Sequence, residues 1–291
     1  LAKELAKLEP THRTCSAEIN SLAQLMERRD FQHVSQLVFC VSDTKEGQDI
    51  GAILKSYYGR VDSQLNVDIA TIDNLSGSNP EHFKVYGLRN LARTIGNIVR
   101  KSGDSKYVAL NCTGGYKAQV AIAVLIGQAL NVDVYYKHET FPEIISFPGM
   151  PVTFDFSVLT SNGDILSTLE AGGEFEAPEA EVENIRSFLE EIDVDGKKLW
   201  ALAPIGQIFL ESFRRQFPPE KTLPQPVPDT DRKTPTFGND HHYPNGFKEY
   251  VTKVWRETSY ITSCTSESYA GQSAIKDRRF YVSTDGRILR V

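Results

Sequence analysis

The chain has 291 residues, 40% hydrophobic and 24% charged, with a formal net charge of −6. That is ordinary globular composition with length for roughly two domains, and it excludes wholesale disorder and fibrous repeats. The longest apolar run, Ala118 to Leu130, is broken by Gln119, Gly127 and Gln128 and is too short to cross a bilayer, and no export signal opens the chain. Four scattered cysteines (15, 40, 112 and 264), with no CxxC, fit a reducing cytoplasm and argue against a disulfide framework or a structural zinc site.

Residues 1–140 alternate helix and strand patterns. Gln36 to Val41 reads as a strand, and Asp43 or Thr44 then offers an N-cap for a helix burying Ile50, Ile53, Leu54 and Tyr57 on one face. Val67 to Ile72 is a second strand. Pro80 suits the first turn of a long helix carrying Phe83, Tyr86, Leu88, Leu91, Ile95 and Ile98. Tyr107 to Leu110 is a third strand, an apolar helix spans 116–130, and Val132 to Tyr136 closes the set. Such alternation predicts parallel pairing in a doubly wound α/β sheet, with ligands at the carboxyl ends of the strands.

Residues 141–163, with three prolines, are expected to leave the sheet, and an acidic helix is expected over 178–192 with Val182, Ile185, Phe188 and Leu189 buried. Lys198 to Leu202, then Pro204-Ile205-Gly206 and a helix to about Gln216, make a strand–helix module of winged-helix size. Residues 217–240 hold six prolines and read as an extended linker. A helix from about Asn245 to Arg256 and a strand-like ITSCTSESY follow, and Asp285-Gly286 sits between two alternating runs as a hairpin signal. The chain starts at Leu1 inside a helix-like pattern and ends in a strand-like one, so both ends are expected to be cut.

Charge is segregated. Residues 1–163 carry a balance of −1, residues 164–196 carry −10, and residues 197–291 carry +5. A basic C-terminal part is a weak pointer to a polyanionic partner. Its cations Lys276, Arg278, Arg279, Arg287 and Arg290 stand with Tyr269 and Tyr281, and such residues could contact an RNA backbone and stabilise a phosphorane without metal. An ordinary solvated hairpin face reads equally well from the pattern.

The sharpest motif is Asn111-Cys112-Thr113-Gly114-Gly115-Tyr116-Lys117. Two glycines after a strand permit a tight turn and close backbone approach, and the helix N-terminus, the Thr113 hydroxyl and Lys117 would suit a phosphate. It is neither a Walker loop nor GxGxxG. A plain strand–helix turn with a solvated lysine is the competing reading. Ser42-Asp43-Thr44-Lys45-Glu46-Gly47 ends another strand on the same rim, where capping and ligand contact can coexist. Ser16 is the expected N-cap of a helix whose Glu18 and Asn20 would face the rim or a partner subunit; His138, beside Lys137 and Glu139, reads as a structural hydrogen-bonder, and Asp240-His241-His242 has no metal-ligand spacing.

SAEINSL (16–22), SDTKEG (42–47), NCTGGYKA (111–118) and YYKHETF–FPGMPV (135–152) together resemble the CRISPR-associated Rossmann-fold (CARF) sensors of type III CRISPR systems, over roughly half the chain. The resemblance implies a Rossmann-like CARF domain over 1–155, a homodimer, and cyclic oligoadenylate, of four residues by twofold symmetry, bound across the dimer interface. By position, Asn111, Thr113, Gly114, Gly115 and Lys117 resemble the family's phosphate loop, and Ser42, Asp43 and Thr44 its second rim loop. The family's first strand would lie before Leu1. Residues 156–216 resemble a winged-helix connector, 217–240 a linker, and 241–291 an α+β RelE-type mRNA interferase. That implies a cytoplasmic ribonuclease needing no cofactor, switched on by the ligand, with RNA and the ribosome as partners, no membrane, and Lys276, Arg278, Arg279, Tyr281 and Arg287 as catalytic candidates. The alternatives are a ring nuclease that destroys the messenger and a ligand-controlled winged-helix transcription regulator.

Overall fold

The computed structural model describes all residues except 13, 32, 139, 152, 219–224, 238–242, 244, 267–279, 285–286 and 291, and gives the backbone alone for 160, 280–284 and 287–290. These residues divide into two units, Leu1–Gln216 and Phe217–Val291.

The first unit opens with helices α1 (Ala2–Leu5) and α2 (Ala17–Met26). Strands β1 (Gln36–Ser42) and β2 (Asn66–Ile72) pair in parallel, Gln36 opposite Asn66 through Ser42 opposite Ile72, with helix α3 (Lys45–Val61) crossing between them. Thr44 is the residue that caps α3, accepting from Gly47 N at 3.1 Å. Ile50 is not on the buried face and stays 51% exposed. The helix instead meets the strands at Gly51, where a Cβ would lie 3.2 Å from Val41 and 3.3 Å from Ile69, and buries Leu54, Tyr57 and Tyr58.

The long helix expected from Pro80 is broken into α4 (Pro80–His82), a π-helical turn at Phe83–Gly87, and α5 (Leu88–Lys101). Strand β3 (Ala109–Asn111), helix α6 (Lys117–Leu130) and strand β4 (Asp133–Tyr136) form the second parallel pair. The segment expected to leave the sheet returns to it, because β5 (Ile145–Phe147) pairs antiparallel with β4. Its backbone groups need partners, and the free edge of β4 supplies them.

The doubly wound sheet expected as one piece is divided into two, β1–β2 and β3–β4–β5. On β2, Val67 and Ile72 have opposite parity and point to opposite faces. Val67 joins a core with Leu54 and Tyr57 of α3 and Ile19 of α2, whereas Ile72 joins one with Leu91 and Ile95 of α5 and Ile122 and Ile126 of α6. With helices on opposite faces, right-handed crossovers run outward in opposite senses and leave β1 and β3 as the inner strands. Solvent reaches Cys40 on β1, yet surrounding protein pushes its thiol up to about 11. Cys112 lies close enough that burial first, and the Cys40 charge second, push its thiol up to about 12. The two thiols mark a seam between the sheets.

Helix α7 (Val158–Glu170) leads to a short helix α8 (Glu179–Val182), a 3-10 stretch Glu183–Phe188, and a hairpin of β6 (Leu189–Val194) and β7 (Lys197–Leu202), followed by α9 (Pro204–Gln216). The acidic helix expected over 178–192 therefore ends early. LEEIDV alternates, and Asp195 and Gly196, with φ of 54° and 79°, form the left-handed turn that pairs it with β7. Val182, Ile185 and Leu189 are buried as expected, in a core with Trp200, Leu202 and Phe209.

Helix α9 docks on the α/β body through an ionic cluster. Glu211 is fully buried and meets Arg100 of α5, Arg214 at 3.3 Å and Gln207 Nε2 at 2.9 Å. Gln207 also donates to Glu170 Oε1 at 2.8 Å, and Arg214 pairs with the same carboxylate. A Cβ on Gly96 would sit 2.3 Å from Glu211 Oε2, so this glycine lets the carboxylate reach α5.

In the second unit, the stretch expected as a free linker is partly bound. Val227 N donates to Ser259 O at 2.9 Å, Lys233 N to Thr262 O at 2.7 Å, and Thr236 bridges Thr265 in parallel. Arg232 lies under the Trp255 ring at 4.5 Å and donates to Ile261 O at 3.1 Å. Helix α10 (Phe247–Glu257) packs through Val251 onto Ile261 and Cys264, beside an antiparallel sheet of β8 (Ser263–Ser266), β9 (Phe280–Thr284) and β10 (Arg287–Arg290) in the order β10–β9–β8. The expected hairpin is present. Among the described residues no helix is long and apolar enough to cross a membrane.

Burial pushes the Glu170 carboxyl up, but hydrogen bonds from Arg214 and Gln207 and the charges of Arg214 and Arg93 outweigh it and hold it below its ordinary 4.5. A depressed carboxyl contributes stability above the ordinary value and loses it as pH falls through the lower folded value. Urea unfolding should therefore show stability falling below pH 4.5. Arg214→Ala, which strips a partner from the buried Glu211 and the half-buried Glu170, should cost about 1–3 kcal/mol at pH 7 and flatten that acid-side fall.

Candidate functional site

Parallel pairing places the loops after β1 and β2 on one rim, and the loop after β3 meets them through Tyr116, whose Oη would lie 3.0 Å from a Cβ on Gly77. The loop after β3 is tied internally. Asn111 Nδ2 donates to Ser21 Oγ of α2 at 2.7 Å, and Asn111 Oδ1 accepts from the Thr113 hydroxyl at 2.6 Å and from Thr113 N at 3.3 Å. Thr113 Oγ1 in turn accepts from Lys137 N at 3.1 Å, after β4. Asn111 and Thr113 thus hold the loop's shape, and the Thr113 hydroxyl is already engaged.

Gly115 has φ +99°, and a Cβ there would lie 2.2 Å from Gln119 Oε1, which accepts from Tyr116 N at 2.9 Å. A Cβ on Gly114 would lie 2.2 Å from Glu18 Oε1. Gly115 is therefore required by its backbone conformation, whereas at Gly114 a side chain would displace only the mobile end of Glu18. Behind them α6 begins at Lys117, an exposed side chain with no ion pair among the described residues. The glycine turn, the start of α6 and the exposed Lys117 thus follow one another in the chain, and Glu18 approaches Gly114. Ser16 caps α2 through Ile19 N at 3.3 Å, so Glu18 reaches the rim as expected. Asn20 does not; it donates to Pro10 O at 2.8 Å and ties down the segment before α2.

The loop after β1 is equally ordered. Ser42 Oγ and Thr44 Oγ1 share a hydrogen bond of 2.8 Å, and a Cβ on Gly47 would lie 2.3 Å from Ser42 Oγ. Asp43 is not the cap. Its Oδ2 accepts from Asn74 N at 2.9 Å, bridging to the loop after β2. Between these loops lies a recess of about 270 Å³ lined by Asp43, Thr44, Asn74, Ser76, Asn79 and His82. Sequence reasoning named only the first two. The polar run from Asp73 to Asn79, directly after a strand, was the available signal, because every loop after a parallel strand reaches the same rim.

His138 Nδ1 bonds Thr140 Oγ1 at 2.8 Å, a local structural contact. Lys137 Nζ donates to Gln24 Oε1 at 2.9 Å and Phe141 O at 3.1 Å, so its charge is engaged. In the second unit, Lys276, Arg278 and Arg279 lie outside the described residues, as do Asp240, His241 and His242. Tyr281 is placed by backbone on β9, opposite Thr265 and Arg290, and Arg287 on β10 opposite Thr284. The structure thus brings Ser42, Asp43, Thr44, Asn111, Thr113, Gly114, Gly115 and Lys117 to one rim, and gives no side-chain geometry for the catalytic candidates. On α10 a further recess of about 510 Å³ is bordered by Lys248, Lys253 and Arg256 together with Glu249 and Glu257.

Residues 13–150 match the model of a family described as CRISPR-associated protein (Cas_APE2256), which supports a CRISPR-associated protein with an ancillary CRISPR role. The crystal structure of protein VC1899 from Vibrio cholerae aligns at 10% identity and a TM-score of 0.27, covering 88% of this chain and 68% of that one.

The glycine geometry predicts that Gly115→Ala lowers stability by more than about 1 kcal/mol, because the left-handed φ opposes a side chain. Thermal unfolding of that variant against Gly59→Ala, where a Cβ meets nothing within 4 Å, checks it.

Proposed function

We propose that this chain is a CRISPR ancillary effector that senses cyclic oligoadenylate through the rim of its first unit, as a homodimer, and thereby controls a ribonuclease in its second unit. The supporting observation is the seat at Gly114–Lys117, where a glycine turn, the N-terminus of a 14-residue helix and an unpaired lysine converge within a CRISPR-associated family region. Free N–H groups and the positive end of the helix dipole favour phosphate, and Lys117 adds a charge-assisted contact. A twofold dimer would present the same loops to each half of a cyclic tetranucleotide.

Ligand binding activates only if it favours one arrangement over another. The cluster of Arg93, Arg100, Glu170, Gln207, Glu211 and Arg214 joins α5, which follows the rim loop after β2, to α7 and α9. It is the rigid route by which a rim displacement would reach the end of the first unit. For the second unit, the antiparallel sheet with a flanking helix, and the sequence cluster of Lys276, Arg278, Arg279, Tyr281 and Arg287, support an RelE-like interferase that cleaves RNA by cation and tyrosine chemistry, with the ribosome as its setting.

One observation favours a second reading, a ring nuclease. Glu18 lies against Gly114, three residues before Lys117, where it could take the proton of a ligand 2′-hydroxyl.

Calorimetric titration with cyclic tetra-adenylate tests the site. Lys117→Ala should weaken binding about 10- to 100-fold, as loss of one charge-assisted contact does, and full affinity in that variant overturns the assignment. Incubation with ligand, with and without translating ribosomes, separates the activities: mRNA cleavage dependent on both supports the interferase, whereas linear adenylates with intact mRNA support the ring nuclease.

A further inference from the structure

Between α4 and α5 the chain carries one residue too many for an α-helix. The Leu88 N–H donates to Phe83 O, five residues back, so Phe83–Gly87 forms a π-helical turn. Such single turns interrupt the α register and cluster at functional sites. The contacts that hold this one belong to two places. On the rim side, the Phe83 ring meets the Tyr116 ring edge-on at 5.7 Å, and a Cβ on Gly87 would lie 2.2 Å from Asn74 O. On the other side, Val85 is 2% exposed in a core with Ile192 of β6 and Ala201 of β7. Lys84 pairs there with Glu190 of β6, and Tyr86 Oη donates to Glu174 Oε1 at 2.8 Å.

One group beside the turn is left unsatisfied. Arg89, in the first turn of α5, is 6% exposed, and its Nε has no acceptor among the described residues. Its guanidinium lies over the Tyr86 ring, 5.2 Å from the centroid. Burial first, and the like charge of Arg93 second, oppose its protonated form. Glu170 and Glu174 favour that form from a distance, without a hydrogen bond to it. Glu170 is held by Arg214 and Gln207, whereas the exposed Glu174 holds only the Tyr86 hydroxyl. A guanidinium buried without a carboxylate is costly, and the carboxylate free to relieve it is the one that Tyr86 occupies.

We infer that this turn is a two-register joint between the rim and the β6–β7 hairpin. In the register seen, Glu174 holds the Tyr86 hydroxyl and Arg89 goes unpaired. In the other, the surplus residue passes beyond Tyr86, the ring leaves the guanidinium, and Glu174 pairs with Arg89. A shift of one residue turns the segment by about 100° and moves it about 1.5 Å along its axis, which draws Lys84 and Val85 off the hairpin. A ligand entering the rim displaces Tyr116 and the loop after β2, the contacts that hold the first register, and so favours the second. Two registers that exchange one carboxylate make a bistable element that both ends can bias. The ligand's part rests on the nucleotide reading of the rim; the joint itself does not.

Two substitutions away from the rim push the joint in opposite directions. Tyr86→Phe keeps the ring and removes the hydroxyl that Glu174 holds, favouring the second register. Glu174→Gln keeps an acceptor for Tyr86 and removes the charge that would pair with Arg89, favouring the first. In hydrogen exchange of the 1–291 chain without ligand, Tyr86→Phe should speed exchange over 83–88 and 189–202 together, and Glu174→Gln should not. In calorimetric titration with cyclic tetra-adenylate, the Tyr86→Phe chain should bind about fivefold tighter than wild type and the Glu174→Gln chain about fivefold weaker, the factor that one net hydrogen bond supplies. Equal affinity in all three chains, with Lys117→Ala still weakened, overturns the joint and leaves the rim site standing. If the wild-type chain does not bind the ring, the rim reading falls and the exchange data decide alone: a hairpin that exchanges alike in all three chains overturns the joint.

Discussion

Parallel strand pairing is the constraint on which this molecule depends. A parallel strand must be re-entered from the same end, so each is followed by a crossover helix, and every loop after a strand opens on one rim. Three such loops, after β1, β2 and β3, are short and fixed by their own hydrogen bonds. The rim is therefore preorganised, with little ordering entropy left for a ligand to overcome.

Within that rim, charge is uneven. Glu18 approaches the glycine turn that precedes the exposed Lys117, and Asp43 and Asn74 border a recess without lysine or arginine. The seam between β1 and β3 lies at the switch between outward-running crossovers.

The join between α5 and α9 rests on buried charge. Glu211 is fully buried and balanced by Arg100 and Arg214, whose outer atoms still reach solvent. Such clusters contribute less to stability than to fixing one geometry, because desolvation offsets much of their attraction. That is the property a signal path requires: α9 has one seat on α5, set by Gly96 and Glu211, and a shift in α5 must carry α9 with it.

Several elements were legible from local pattern alone. The strand at Gln36, the cap at Thr44, the glycine turn at 114–115 and the helix behind it all follow from apolar periodicity and from groups that satisfy neighbouring backbone. The hairpin turn at Asp195-Gly196 was equally visible and was overridden by the acidic run before it. The outcomes that needed the tertiary structure involve partners distant in sequence. Asp43 became a bridge because Asn74 N lies beside it, Thr113 spent its hydroxyl on Asn111 and Lys137, and Ile50 turned outward because Gly51 allowed the helix to touch β1 and β2. The sequence by itself determined the order of the elements and the chemistry offered at each strand end, since both depend on neighbours along the chain. Only the folded chain decided which of those groups remain free for a ligand, because satisfying buried polar atoms is settled by whatever packing brings within hydrogen-bond reach.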